Sequence, residues 1–212
     1  MIIDCIADLH GHYPVLEGGD LLIIAGDIAA NYSFGGWDDF LFWAISQKYK
    51  NVIFIGGNHD NFLDGLLPHK DTRFKVNFEY LCDSGTEFAG FKIWGSPWTK
   101  TFKGINLNCK AFTLDTEEEL AEKWALIPDD IDILITHSPP LQVFDRNKRK
   151  ENVGSVSLRR QVFNRIQPKL HVFGHIHESG GMIMDVQTIK FVNASHVDEY
   201  YDPINEYVRV EL

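Results

Sequence analysis

The chain has 212 residues, of which 44% are apolar, 13% aromatic and 24% charged, and a formal net charge of −10. That length fits one domain over 1–212, and the composition excludes disorder and low complexity. The acidity argues against wrapping long nucleic acid, whose affinity comes mostly from Lys and Arg on phosphates; it leaves room for a small phosphate ester, because bound cations reverse the field of a carboxylate-rich pocket.

The elements follow in chain order. Met1 to Ala7 and Asp20 to Ile24 read as short strands, each running into a small residue and then an acid: Ala7-Asp8 and Gly26-Asp27. Between Trp37 and Lys48, the residues Trp37, Phe40, Leu41, Ala44 and Ile45 share one helical face. Asn51 to Ile55 is the next buried strand. From Phe74 to Trp98 the pattern reads as hairpins, with turns at Asp83-Ser84-Gly85 and Ala89-Gly90. A second helix opens at Thr116, whose spacing to Glu119 is that of a capping box, and it turns Leu120, Trp124 and Ile127 inward. Ile131 to Ile135 and Leu170 to Phe173 are further core strands, separated by a helix from Ser157 to Ile166 that stops before Pro168. Thr188 to Val192 and Tyr207 to Leu212 follow as strands with no helix between them. The expected fold class is α/β, with a two-sheet β-sandwich core flanked by helices.

Cys5, Cys82 and Cys109 are odd in number and scattered, so neither a disulfide framework nor a zinc knuckle is expected. The apolar runs are strand-sized and the N-terminus lacks a basic leader, which points to a cytoplasmic setting and no membrane span.

Five polar clusters directly follow the strands: Asp8-Leu9-His10, Gly26-Asp27, Gly57-Asn58-His59-Asp60, Thr136-His137 and Gly174-His175-Ile176-His177. Strand ends converge on one edge of an α/β layer, so residues far apart in sequence meet there. Taken singly, each is an ordinary turn, cap or hydrogen-bonded residue. Five in order, each at a strand end, point to a shared site. Imidazole nitrogens mixed with hard oxygens suit transition metals rather than calcium.

The ordered pattern D-x-H, G-D, G-N-H-D, H and G-H-x-H resembles the signature of the calcineurin-like metallophosphoesterases and spans most of the chain. The resemblance implies a dinuclear centre in which Asp8, His10 and His177 hold one divalent transition-metal ion. Asn58, His137 and His175 hold the other, and Asp27 bridges them. It makes His59 the histidine beside the substrate that binds no metal, and Asp60 its orienting partner. Mn is the expected metal, with Fe, Zn, Co and Ni as alternatives. Leu81-Cys82-Asp83-Ser84-Gly85, Gly95-Ser96-Pro97-Trp98, Thr136-His137-Ser138-Pro139-Pro140 and the segment from Lys169 to Glu178 are similar to a small branch of metallophosphoesterase-domain proteins. This branch includes the vertebrate brain proteins and their microbial and phage relatives. It implies hydrolysis of small phosphodiesters, 2′,3′-cyclic nucleotides among them, by water activated between the two ions. The arginine that the phosphoprotein-phosphatase branch carries after Gly-Asp is missing, since Gly26-Asp27 continues as Ile28-Ala29-Ala30-Asn31. The competing readings are a phosphomonoesterase or nuclease of the same superfamily, and a non-catalytic binding module on the same fold.

The remaining histidines match no motif. His12 reads as a surface-loop residue; His69, His171 and His196 stand apart, although Asn193-Ala194-Ser195-His196 falls where it would support the site. Trp37 and Trp98 read as packing residues. Arg146-Asn147-Lys148-Arg149-Lys150 reads first as a solvated loop, and second as a cationic rim for a phosphate-bearing pocket.

Overall fold

The computed structural model describes residues 1–29, 35–65, 68–71, 77–102 and 108–212. The first half of the chain forms β1 (Ile2–Ile6), β2 (Gly19–Ala25), α1 (Gly35–Ser46), β3 (Tyr49–Ile55), β4 (His69–Asp71), β5 (Asn77–Tyr80), β6 (Ser84–Phe88) and β7 (Phe91–Ser96). The second half forms β8 (Thr99–Lys100), β9 (Thr113–Leu114), α2 (Glu117–Ala125), β10 (Ile133–Thr136), α3 (Val156–Gln161), β11 (Leu170–Phe173), β12 (Ile183–Val186), β13 (Ile189–Asn193) and β14 (Val208–Glu211).

Two six-stranded sheets result, in the orders β14-β1-β2-β3-β5-β4 and β12-β13-β11-β10-β7-β6. Their plans match. In each, the four central strands are parallel, and each edge strand is antiparallel to its neighbour. All the parallel strands therefore deliver their C-terminal loops to one end of their sheet.

The apolar pattern explains the layering. In β2, Leu21, Ile23 and Ala25 join Ile3, Ile53, Ile93, Ile135 and Val172 in a core between the sheets. Leu22 and Ile24 point the other way, to an outer layer with Phe40, Trp43, Phe54 and Phe78. With both faces covered, the strand needs a continuous apolar run rather than an alternating one. The second sheet's outer face is covered by Leu120, Trp124, Leu158 and Val162 against Phe173 and Phe191. At the start of α2, the Thr116 hydroxyl accepts from Glu119 N at 3.2 Å and Glu119 Oε2 accepts from Thr116 N at 2.9 Å, as the capping box predicts.

Some expectations change. The hairpin reading holds for β6 and β7, which turn at Ala89-Gly90. The Asp83-Ser84-Gly85 signal instead marks a crossing between sheets, because β5 pairs in parallel with β3 while β6 belongs to the second sheet. Asp83 takes φ 44° there, and its carboxylate accepts from Ser96 Oγ at 2.6 Å and Trp98 Nε1 at 2.8 Å. Phe74, Ala30 and Asn31 lie outside the described residues. The helix expected from Ser157 starts one residue earlier, since the Ser155 hydroxyl caps it by accepting from Leu158 N at 3.1 Å. Its last turn widens to a π-turn, Gln167 N to Val162 O at 3.0 Å, before Pro168.

His171, set apart by sequence, lies wholly buried on β11. Thr136 Oγ1 donates to Ser138 O at 2.7 Å and so accepts from His171 Nε2 at 2.8 Å. Nδ1 has no hydrogen-bond partner among the described residues, and the ring packs on Phe173 and Phe191. A second proton has no place in that setting, and burial pushes the pKa down from 6.5 to about 3. The unfolded chain takes up this proton as pH falls through 6.5, whereas the folded chain refuses it until about 3. The contribution to stability is thus complete above 6.5 and is lost on acidification, with a slope of up to about 1.4 kcal/mol per pH unit. Urea midpoints measured from pH 7 to pH 4 should fall less steeply for His171→Leu than for the wild type. Parallel curves would remove His171 as a source of acid sensitivity.

Candidate metal centre

Asp8 and His10 follow β1, Asp27 follows β2, and Asn58 and His59 follow β3, all from the first sheet. His137 follows β10, and His175 and His177 follow β11, from the second. The loops meet closely. Asp8, His10, Asp27 and His175 take positive φ values of 51°, 43°, 53° and 70°, a left-handed conformation that costs a non-glycine residue about 1 kcal/mol or more. Backbone bonds across the loops hold it: Asp8 N to Gly26 O at 2.9 Å and His10 N to Asp27 O at 3.1 Å. Close approach also requires glycine at two places. A Cβ on Gly57 would lie 2.3 Å from Asp27 Oδ1, and one on Gly174 would lie 2.3 Å from Asp8 Oδ2.

The side chains form a continuous run of donor atoms. Asp27 Oδ2 lies 3.4 Å from His137 Nε2, 3.8 Å from His10 Nε2 and 3.9 Å from His59 Nε2, and Asp27 Oδ1 accepts from His59 N at 2.8 Å. Asp8 Oδ1 lies 3.5 Å from His177 Nε2. Among the described residues, three groups of donors could hold an ion: Asp8, His10 and His177; His10, Asp27 and His59; and Asp27, His137 and His175. The oxygen Oδ1 of Asn58 is 3.2 Å from His137 Nε2, which places it with the third group. Asp8 Oδ1 and His10 Nε2 are buried with no hydrogen-bond partner among the described residues. Such orphaned atoms are costly to bury, and a cation between them would satisfy both.

Outer contacts fix the rings. His137 Nδ1 donates to Ala25 O at 2.9 Å and His177 Nδ1 to Asp198 O at 3.1 Å, which leaves each Nε2 for the site. His175 Nε2 meets Thr99 Oγ1 at 3.0 Å, which leaves its Nδ1. Asp8 Oδ2 accepts from His175 N at 2.8 Å and Ser195 Oγ at 2.5 Å.

The electrostatics suit cations. Burial opposes ionisation of Asp8 and Asp27, yet the charges of His177 and His137 hold both carboxyls well below the usual range. Burial likewise opposes a proton on His137, but Asp27 and Asp8 raise its pKa to about 9, and Asp8 raises that of His177. Burial prevails at His10 and His175, whose pKa values fall to about 4 and about 3. A metal ion held by His137 beside Asp27 would displace the proton that the carboxylate otherwise favours there.

The calcineurin-like phosphoesterase family model matches residues 1–179. The chain belongs to the calcineurin-like phosphoesterase family. It is 36% identical to metallophosphoesterase domain-containing protein 1 of Homo sapiens, over 98% of this chain and 70% of that protein. It is 34% identical to the UPF0046 protein T07D4.2 of Caenorhabditis elegans, over 98% of this chain and 59% of that one. The fold is also that of the phosphopantetheinyl hydrolase of Mycobacterium tuberculosis, with a TM-score of 0.62 at 15% identity, over 98% of this chain and 95% of that chain. The chain is thus a metal-dependent phosphoesterase of the branch its motifs resemble, and the family uses a dinuclear metal centre.

A cavity of about 610 Å³ opens onto the centre, lined by Asp27, Asn58, His59, His175 and His177 together with Phe102, Cys109, Lys148 and Tyr201. Tyr201, which the sequence did not flag, sets its ring 4.8 Å from that of His10 and 5.3 Å from that of His177. Phe102 lies 5.2 Å from His175 on the other side. The basic segment is an ordered turn rather than a loose loop: Asn147 N bonds Glu151 O at 3.0 Å, and Lys148 Nζ donates to Glu199 O at 2.6 Å at the cavity rim.

Both carboxylate oxygens of Asp60 accept from backbone amides, Oδ1 from Ile28 and Ala29 at 2.9 and 3.2 Å and Oδ2 from Gly57 at 2.9 Å. Asp60 therefore ties the Asp27 loop to the Asn58 loop, and Cys109 Sγ lies beside His59 Nδ1. His12 is exposed, and His196 is held by Asn205 O at 2.6 Å.

Proposed function

We propose that the chain hydrolyses small organic phosphodiesters, with Asp8, His10 and His177 around one divalent ion, Asn58, His137 and His175 around the other, and Asp27 between them. The observation that carries this reading is Asp27 Oδ2, buried and facing imidazoles from both ligand groups. Two such ions, when bound, supply a nucleophile at neutral pH and neutralise charge on the phosphoryl oxygens. Mn is the favoured occupant, since imidazole and hard oxygen donors share the site. His59, on the cavity wall, donates a proton to the departing oxygen. The cavity exceeds what a phosphate needs, and Phe102 and Tyr201 offer apolar walls for an organic group on the ester, which a 2′,3′-cyclic nucleotide would provide. Among the described residues no disulfide joins Cys5, Cys82 or Cys109, in keeping with a cytoplasmic setting.

The preference for diesters rests on cations. A monoester carries an extra negative charge, and each charge-assisted hydrogen bond to it is worth about 1.5–3 kcal/mol. After Asp27 come Ile28 and Ala29, both buried, in place of an arginine. Among the described residues lining the cavity the Lys and Arg side chains are Lys110 and Lys148, and Lys148 is already engaged by Glu199 O. With Mn supplied, kcat/KM for bis-p-nitrophenyl phosphate should exceed that for p-nitrophenyl phosphate by roughly tenfold or more, the worth of one such bond. An equal or higher value on the monoester would move the reading to a phosphomonoesterase.

A further inference from the structure

We propose that Cys109 is a positioning residue for His59: its sulfur accepts the Nδ1 proton and so turns Nε2 to the reaction side as the nitrogen that exchanges a proton with the leaving oxygen. The proposal rests on the reading of His59 as the proton donor. Sγ lies 3.4 Å from His59 Nδ1, within the range of a sulfur hydrogen bond, and both residues are 8% exposed. Both line the cavity. At the other end of the ring, Nε2 lies 3.9 Å from Asp27 Oδ2, at the metal centre.

The contact is built into the fold. The segment around Cys109 is docked on the His59 loop by a two-point clamp from Asn61, whose Nδ2 donates to Asn108 O at 2.7 Å and whose Oδ1 accepts from Ala111 N at 3.1 Å. The neighbouring Phe112 ring lies so close to Gly56 that a Cβ there would meet it at 2.4 Å, and Phe112 O accepts from Thr99 N at 2.9 Å. The His59 backbone is pinned in turn by Asp27 Oδ1. With both main chains fixed, the thiol and the ring meet at a set distance.

An imidazole serving as an acid gives one N–H proton to the departing oxygen as the P–O bond breaks, and the electron pair of that bond becomes the new O–H bond. The ring is left neutral with its other nitrogen protonated, and a solvent proton restores it. A ring free to flip would present either nitrogen. With Nδ1–H held on sulfur, the neutral ring is fixed in its Nδ1–H tautomer and Nε2 alone is exchanged. A serine hydroxyl would accept the same proton; an alanine would not.

The test uses the full chain loaded with diamagnetic Zn, with ¹⁵N-labelled histidine to read the tautomer of His59. The same variants are loaded with Mn for kinetics and metal analysis. In the wild type and Cys109→Ser, His59 should carry its proton on Nδ1; in Cys109→Ala it should move to the Nε2–H tautomer, which neutral imidazoles ordinarily favour. With Cys109→Ala, kcat on a 2′,3′-cyclic nucleotide should fall about tenfold or more, the scale of a misplaced catalytic group. Cys109→Ser should restore it. Metal content should be retained, and kcat on an aryl diester should fall much less than on the cyclic nucleotide. An Nε2–H tautomer in the wild type, or Cys109→Ala matching the wild type in tautomer and in the ratio of the two kcat values, would overturn the proposal. Failure of the underlying functional reading looks different: a wild-type chain that binds no metal or hydrolyses neither ester fails on those measurements, while the spectrum still reports on the thiol contact.

Discussion

Replacing Asp27 with Asn is expected to remove both metal ions and the activity together. The Oδ2 atom of Asp27 faces His137, His10 and His59 nitrogens at 3.4 to 3.9 Å, and in the proposed centre it stands between the two ligand groups. An amide of the same shape still leaves an oxygen to accept from His59 N, so the loop keeps its anchor while the shared negative charge is lost. Changing an outer contact to a metal ligand typically costs about 10–100-fold in affinity or activity, and the loss of the bridge should exceed that. The measurement is metal content after dialysis, with turnover in added Mn, on protein shown by circular dichroism to be folded. Two ions retained at near-normal turnover would refute the bridging assignment.

His59→Ala should give the opposite pattern, retaining both ions while losing rate. General acid catalysis contributes about 10²–10⁴, and the full loss should appear on a 2′,3′-cyclic nucleotide, whose alkoxide needs a proton. A p-nitrophenolate departs as a stable anion, so kcat on the aryl diester should fall much less. The control has force because the geometry would also permit His59 to bind metal, in a group with His10 and Asp27. Loss of an ion in His59→Ala, or equal falls on both substrates, would turn His59 into a ligand or a structural residue. Substitution of His137, His175 or His177 should by contrast weaken metal binding.

Much of this architecture could be read from the residues because its signals are local. Apolar runs such as Leu21-Leu22-Ile23-Ile24 can be buried on two faces only inside a layered sheet, and the acids and histidines stand directly at the ends of such runs. The capping box at Thr116 is equally local. Edge strand β12 was missed because Ile183 and Asp185 are exposed and the strand buries little. The turn chemistry at Asp83 and Gly85 was legible, but a hairpin and a crossing between sheets share it. Thr99 and Cys109 gave no signal, since each meets its site partner across a long stretch of sequence, 76 residues for Thr99 and His175 and 50 for Cys109 and His59. The backbone contacts of Asp60 were out of reach for the same reason: its partners Ile28 and Ala29 lie 32 and 31 residues away.

The proposed ligands are split between the two sheets, Asp8, His10, Asp27 and Asn58 on loops of one and His137, His175 and His177 on loops of the other. Catalytic geometry is then hostage to the spacing of the sandwich. A substitution at Ile23, Ile53 or Ile135, buried between the layers, that let one sheet slide by a fraction of an ångström would leave every ligand in place on its own loop and still pull the ligand set apart. Activity would thus report on core packing more sensitively than melting does. Drift in the core of such a protein is policed by the chemistry at its rim, long before the fold itself is at risk.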